Sequence, residues 1–188
     1  IIVAKQNSNE VSECIKKNIS KNDAKKIFYN EDYNFVFKEN GFFYYEDQYG
    51  GIKISNPNIN GAFQIENIAT AIATLRTIKK LNVKDHDIQE GVKKIKTIAR
   101  LEEIKDGKLK QFVKNNRCFC DGSHNPDGFK VLNDYLQSLN CDIHIIIGMM
   151  ANKDHKKCID HIKNIKSLKT VDIKNQPNAI SGKELKEK

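Results

Sequence analysis

The sequence predicts an α/β protein whose C-terminal half is a doubly wound, mostly parallel sheet, preceded by β-hairpin strands and two helices. Three observations carry this. From residue 117 onward, short apolar runs alternate with helical periodicity, the order in which helices wrap a parallel sheet. The run "IHIIIG" at 143–148 is almost continuously apolar, as in a strand buried on both faces. Before residue 60 the pattern is instead short extended runs between turn signals.

Taken in order, residues 9–19 read as a helix with Val11, Cys14 and Ile15 on one stripe. "KKIFY", "NFVFKE", "GFFYYE" and "GIKIS" follow as strands, with turns at Asn30–Asp32, Asn40–Gly41 and Gly50–Gly51. Asn40–Gly41 suits a type I′ hairpin, because both residues tolerate positive φ. Ile65, Ile68, Ala69, Ile72, Leu75 and Ile78 give a helical face over 65–81. A second helix at 85–96 starts on Asp85 and repeats Ile88, Val92 and Ile95.

In the second half "RCFC" (117–120) is an apolar strand in which Cys118 and Cys120 point to one face, into a core. Helix 126–139 follows, with Phe129, Leu132, Leu136 and Leu139 inward. Strand 143–148, helix 154–165, strand 168–173 and a helix from about 181 complete the alternation. The turn at 121–128 and the loop "GMMANKD" (148–154) both follow strand carboxyl ends, where such sheets bind ligands, and are expected to open on one edge.

Composition narrows the function classes. The chain has 188 residues, 39% hydrophobic and 30% charged, which describes a globular protein with a real core. No apolar run approaches the roughly 20 residues of a membrane helix. The net charge of +8 comes from lysines spread along the chain and locally balanced by acids, without an arginine-rich block. That pattern argues for a solvated surface and against nucleic acid. Five cysteines with no C-x-x-C pair argue against a disulfide framework and against zinc, and fit a reducing cytoplasm. The chain opens without Met in an apolar run, so its N-terminus reads as a cut.

The stretch "FCDGSHNPDG" (119–128) concentrates the chemistry. Asn125–Pro126 is a strong helix start, since Asn accepts from first-turn amides and Pro at the first position loses no bond. Ser123 with His124 as its base fits poorly: adjacent side chains seldom meet, and no nucleophile elbow is present. A metal site lacks further ligands. What remains is an anion or nucleotide site, with a carboxylate at a strand tip, a His beside it and a helix N-terminus.

Four blocks in order carry a resemblance. "DGSHNPDG" and "IIIGMMANKD", with "NGAFQIENIATAIATLRTI" (60–78) and "TIARLEEI" (97–104) upstream, resemble the folylpolyglutamate synthase/dihydrofolate synthase family of the Mur ligase superfamily. The resemblance covers about 60–154. It implies the tail of a Mur-ligase central ATPase domain over 1–97, and a truncated, Rossmann-like C-terminal domain over 98–188. It also implies an ATP-dependent ligase that adds L-glutamate to dihydropteroate or folate through an acyl phosphate, with ATP and Mg²⁺ as cofactors. Residue by residue, Asn67, Arg100, Asp121 and His124 are implied at the nucleotide, and His124, Lys153 and Asp154 in catalysis. No metal ligand is expected in this chain; the family's phosphate loop, Mg²⁺ ligands and folate residues belong upstream of it. The full-length protein is expected to be monomeric, and this chain alone inactive. Phe63 stands where the family has His, Ala99 where Gly is commoner, and Ser123 where Ala or Gly is usual. There is no Trp. The alternatives are a non-catalytic nucleotide-binding module and another Mur-type amino-acid ligase, with a nucleic-acid binder third.

Overall fold

The computed structural model describes residues 1–38, 41–57 and 59–188. The chain divides into two compact units, Ile1–Thr97 and Ile98–Lys188.

In the first unit β1 (Ile2–Val3) pairs in parallel with β2 (Ile27–Phe28), and α1 (Asn9–Ile19) connects them. Ser8 caps α1, but none of its residues is buried, and Val11 and Cys14 are exposed. The stripe of Val11, Cys14 and Ile15 is therefore not buried, with only Ile15 partly covered. Lys16 pairs with Glu31 at 2.8 Å and sits 5.5 Å from the Phe28 ring centre. Strands β3 (Tyr33–Lys38), β4 (Phe42–Asp47) and β5 (Gly50–Ser55) form an antiparallel sheet. Its register sets Phe43 between Phe37 and Ile54, and Tyr45 between Phe35 and Ile52. The expected Asn40–Gly41 turn falls on Asn40, outside the described residues. The β4–β5 turn lies at Gln48–Tyr49, and Gly50–Gly51 belong to β5. Asp47 closes that turn by accepting the Tyr49 amide at 2.8 Å.

Helix α2 (Phe63–Thr77) starts two residues earlier than its periodicity indicates and breaks at Ile78 into a short 3-10 turn, Lys79–Leu81. Ile65, Ile68, Ala69 and Ile72 are buried against Phe43, Tyr45 and Ile54, whereas Ile78 is exposed. Burying each of the isoleucines stabilises the fold by about 1.5–3 kcal/mol, and the Ala69 methyl by less. Helix α3 (Asp85–Lys93) adds Ile88 and Val92 to the same core. It ends before Ile95, which packs on the core from the loop beyond.

The second unit begins with β6 (Glu102–Glu103), α4 (Gly107–Val113) and β7 (Phe119–Cys120), β6 and β7 pairing antiparallel. Nothing in the periodicity announced α4. Cys120 is exposed and Cys118 half-buried, so neither enters a core; a two-residue strand with one neighbour leaves its far side open. Helix α5 (Pro126–Ser138) buries Phe129 and Leu136. Strands β8 (His144–Ile147) and β9 (Ser167–Thr170) pair in parallel. They alternate with α6 (His155–Asp160) and α7 (Gly182–Lys186) in the strand–helix order of an α/β fold. Ile147 faces a core of Phe129, Met149, Cys158, Ile180 and Leu185. Ile146, however, is 71% exposed, so β8 is covered on one face and not on both. Helix α6 and β9 are shorter than their apolar patterns indicate, ending at Asp160 and Thr170.

Candidate functional site

Two of the sequence blocks meet in the second unit. The Gly122 amide donates to the Ala99 carbonyl at 2.8 Å, and the Leu101 amide donates to Asp121 Oδ2 at 2.8 Å. A Cβ on Gly122 would stand 3.3 Å from the Ala99 oxygen, so glycine permits this approach. Asp121 spends its other oxygen, Oδ1, on the Ser123 amide at 2.8 Å. It is therefore first a clamp on the backbone, joining turn 121–128 to segment 99–101.

That segment is strained. Ala99 and Leu101 have φ of 50° and 51°, in the left-handed region that side chains avoid at a cost of about 1–2 kcal/mol each. Leu101 is buried, and Arg100 between them is exposed. Among the described residues Arg100 makes no ion pair, so its charge is available to an anion.

His124 is exposed on the same turn, its Nδ1 3.0 Å from the Gly122 carbonyl. A carbonyl only accepts, so Nδ1 carries the proton and Nε2 is the atom left for a ligand. The start of α5 offers less than the sequence indicates. Asn125 Oδ1 accepts the Gly128 amide at 2.8 Å, Pro126 has no N–H, and Asp127 places a carboxylate in the first turn. Ser123 packs by Gly128 as a turn residue: a Cβ there would lie 3.1 Å from its Oγ.

Lys153 and Asp154 sit on the separate loop after β8. Asp154 caps α6 by accepting the Lys157 amide at 3.2 Å and pairs with Lys157 Nζ at 3.0 Å. Hydrogen bonds from Lys157 hold its carboxyl below the usual carboxylate range. Asn67, exposed on α2, belongs to the first unit and donates from Nδ2 to Gln64 Oε1 at 3.4 Å. The structure thus brings together the two segments that carry Arg100 and the pair Asp121 and His124.

Sequence reasoning missed Glu102, whose Oε2 accepts the Ala99 amide at 2.8 Å, and His155, whose ring holds the Met150 carbonyl. No helix among the described residues is long and apolar enough to cross a membrane, and no group of three or more His, Cys, Asp or Glu among them is arranged to hold a metal.

No protein-family profile matches the chain. A folylpolyglutamate synthase of Lacticaseibacillus casei is 33% identical over 124 residues, 64% of this chain and 27% of that protein. Mycobacterium tuberculosis folylpolyglutamate synthase, solved with ADP and AMPPCP, superposes with a TM-score of 0.79 at 17% identity, over 98% of this chain and 41% of that one. E. coli FolC, solved with DHPP and ADP, gives 0.78 at 18% identity over 99% and 42%. A bifunctional folylpolyglutamate synthase/dihydrofolate synthase with Mn, AMPPNP and L-glutamate gives 0.76 at 16% identity over 99% and 42%. The chain spans about a quarter of the length of the curated relative and about two-fifths of each solved one. In sequence and in fold it resembles part of the folylpolyglutamate synthase/dihydrofolate synthase family.

Proposed function

We propose that the chain supplies one side of the nucleotide site of an ATP-dependent ligase that adds L-glutamate to dihydropteroate or folate in the cytoplasm. On this reading residues 1–97 are the C-terminal part of the central ATPase domain and 98–188 the C-terminal domain. The observation that carries it is the docking of Ala99–Leu101 on Asp121–Gly122, which puts the exposed Arg100, without an ion pair among the described residues, beside the turn bearing His124.

A carboxylate is a poor acyl donor, and ATP supplies the phosphoryl group that turns it into an acyl phosphate open to the glutamate amine. The residues of this chain position and neutralise charge. Arg100 faces the phosphates, and His124 offers Nε2 to the phosphate and glutamate region. We also assign Asn67 to the nucleotide. Asp121 holds the turn and reaches the ribose. Lys153 and Asp154 serve the loop after β8. Mg²⁺ is bound by ligands outside these residues.

The test is ATP- and Mg²⁺-dependent incorporation of labelled glutamate into dihydropteroate or folate by the longest natural polypeptide containing this chain. Activity there, weakened on Arg100→Ala through a raised KM for ATP and absent from the 188 residues alone, is expected. No ATP-dependent incorporation by that polypeptide would overturn the ligase reading. Incorporation by the 188 residues alone would overturn the division of the site.

A further inference from the structure

Two carboxylates flank Arg100 without neutralising it. Glu102 Oε2 accepts the Ala99 amide and Asp121 Oδ2 accepts the Leu101 amide, each at 2.8 Å, so both act on the backbone on either side of the arginine. Both bonded residues are left-handed, with φ of 50° and 51°, a conformation that L-residues adopt only when their surroundings impose it. The Gly122 amide, on the Ala99 carbonyl, gives a third restraint, and buried Leu101 anchors the segment. The result is a turn whose central side chain is exposed while both neighbours are fixed.

We infer that Glu102 is a positioning residue: with Asp121 it locks the Ala99–Arg100–Leu101 turn and holds Arg100 ready for an anionic ligand. This rests on the reading of Arg100 as the phosphate-facing cation. The lock works through hydrogen bonds to backbone amides, so it fixes where the Arg100 side chain leaves the backbone without pairing with the guanidinium. A carboxylate bonded to Arg100 itself would orient it and cancel the charge that the phosphates require. An arginine held in advance gives up less conformational freedom on binding.

Hydrogen exchange on the 188-residue chain tests the lock, read at the Leu101 amide because its acceptor, Asp121, stays intact. Glu102→Ala is expected to speed exchange at Leu101 about tenfold, as expected for losing a hydrogen bond to a charged group. Glu102→Gln, which keeps an acceptor, should change it less than about threefold. Adding Ala99→Gly to Glu102→Ala should restore most of the protection, since glycine enters the left-handed region freely. Unchanged Leu101 exchange in Glu102→Ala, or no recovery with Ala99→Gly, overturns the lock.

In the longer active polypeptide, Glu102→Ala should raise the KM for ATP and spare kcat, and should add nothing once Arg100 is already Ala. Additive losses would mean that Glu102 does not act through Arg100. An ATP KM indifferent to Arg100→Ala would remove the phosphate reading, and the positioning role with it, whatever the exchange data show of the turn.

Discussion

His155 holds the loop that precedes it: its ring Nε2 lies 2.9 Å from the Met150 carbonyl, and its own amide donates to the Lys153 carbonyl at 3.0 Å. The residue is buried, and because a carbonyl only accepts, Nε2 must carry a proton. Loop 148–154 therefore closes on the first residue of α6, with Lys153 and Asp154 inside the closure. His155→Ala should cost about 1–3 kcal/mol, from the lost hydrogen bond and the lost packing of a buried ring, while the Met150 carbonyl keeps the Lys153 amide at 3.3 Å. Urea unfolding followed by circular dichroism measures this. A variant as stable as the parent would show that the contact does not hold the loop.

The first unit has its own polar fastening. Arg76, near the end of α2, donates to Asp47 Oδ1 at 2.9 Å and to the Gly50 carbonyl at 2.8 Å, and it also pairs with Asp85. The Arg76 and Asp47 side chains are 6% and 7% exposed, and Tyr45 donates its hydroxyl to Asp47 at 2.9 Å. Burial, aided by the Asp47 bond, pushes the Tyr45 phenol well above its ordinary value, so it stays a donor. Arg76→Met leaves Asp47 charged and buried, and should destabilise the unit by about 3–5 kcal/mol. Changing Asp47→Asn as well should recover a large part of that loss. Costs that simply add in the double variant would mean the two residues are not coupled.

Gly148 follows β8 at a point where nothing larger fits. A Cβ there would lie 2.8 Å from Ile173 Cγ1 and 3.1 Å from the Val171 carbonyl. Gly148→Ala should destabilise the second unit by about 1–3 kcal/mol through overpacking. Ile173→Ala removes the nearer obstacle and should suppress part of the effect, while the Val171 oxygen keeps the rest. Thermal unfolding of the parent, the two single variants and the double variant decides it. A Gly148→Ala protein with an unchanged Tm would show that the strands part without cost.

How far the sequence could be read depended on how local each cause is. Asn125–Pro126 starts α5 as expected because the Asn125 cap acts three residues ahead. The apolar faces of α2 and α3 follow from periodicity. Helix α4 was illegible because "GKLKQFV" is short, begins with Gly and buries none of its residues. Ile146 misled because an apolar strand carries no mark of whether its second face is covered. The site divides the same way. Arg100, Asp121 and His124 stand out in the sequence through their motifs, but the bond from Leu101 to Asp121 spans twenty residues of sequence. The left-handed φ values that make Glu102 matter arise from the folded turn, and nothing in the order of residues announces them.

The acid limb of the stability curve should trace to identifiable carboxylates. Arg117 donates to Glu103 from Nε at 2.8 Å and from its terminal nitrogen at 3.1 Å, and holds that carboxyl below its ordinary value. Lys93 lowers Glu90, Lys157 lowers Asp154, and hydrogen bonds from Ser181 lower Glu184. In each case the unfolded chain takes up a proton at higher pH than the folded one. Their stabilisation is thus complete above the unfolded values, near 4 for such carboxylates, and is lost as pH falls through the folded ones. The three ion pairs lie at the surface, so added salt should screen them, but not the Ser181–Glu184 hydrogen bonds. The urea midpoint should stay flat from about pH 6 to 8 and fall below about pH 5. Glu103→Gln should make that fall shallower, and Arg117→Gln should do the same by removing the cation. An acid limb of equal steepness in both variants would place the proton uptake on other carboxylates.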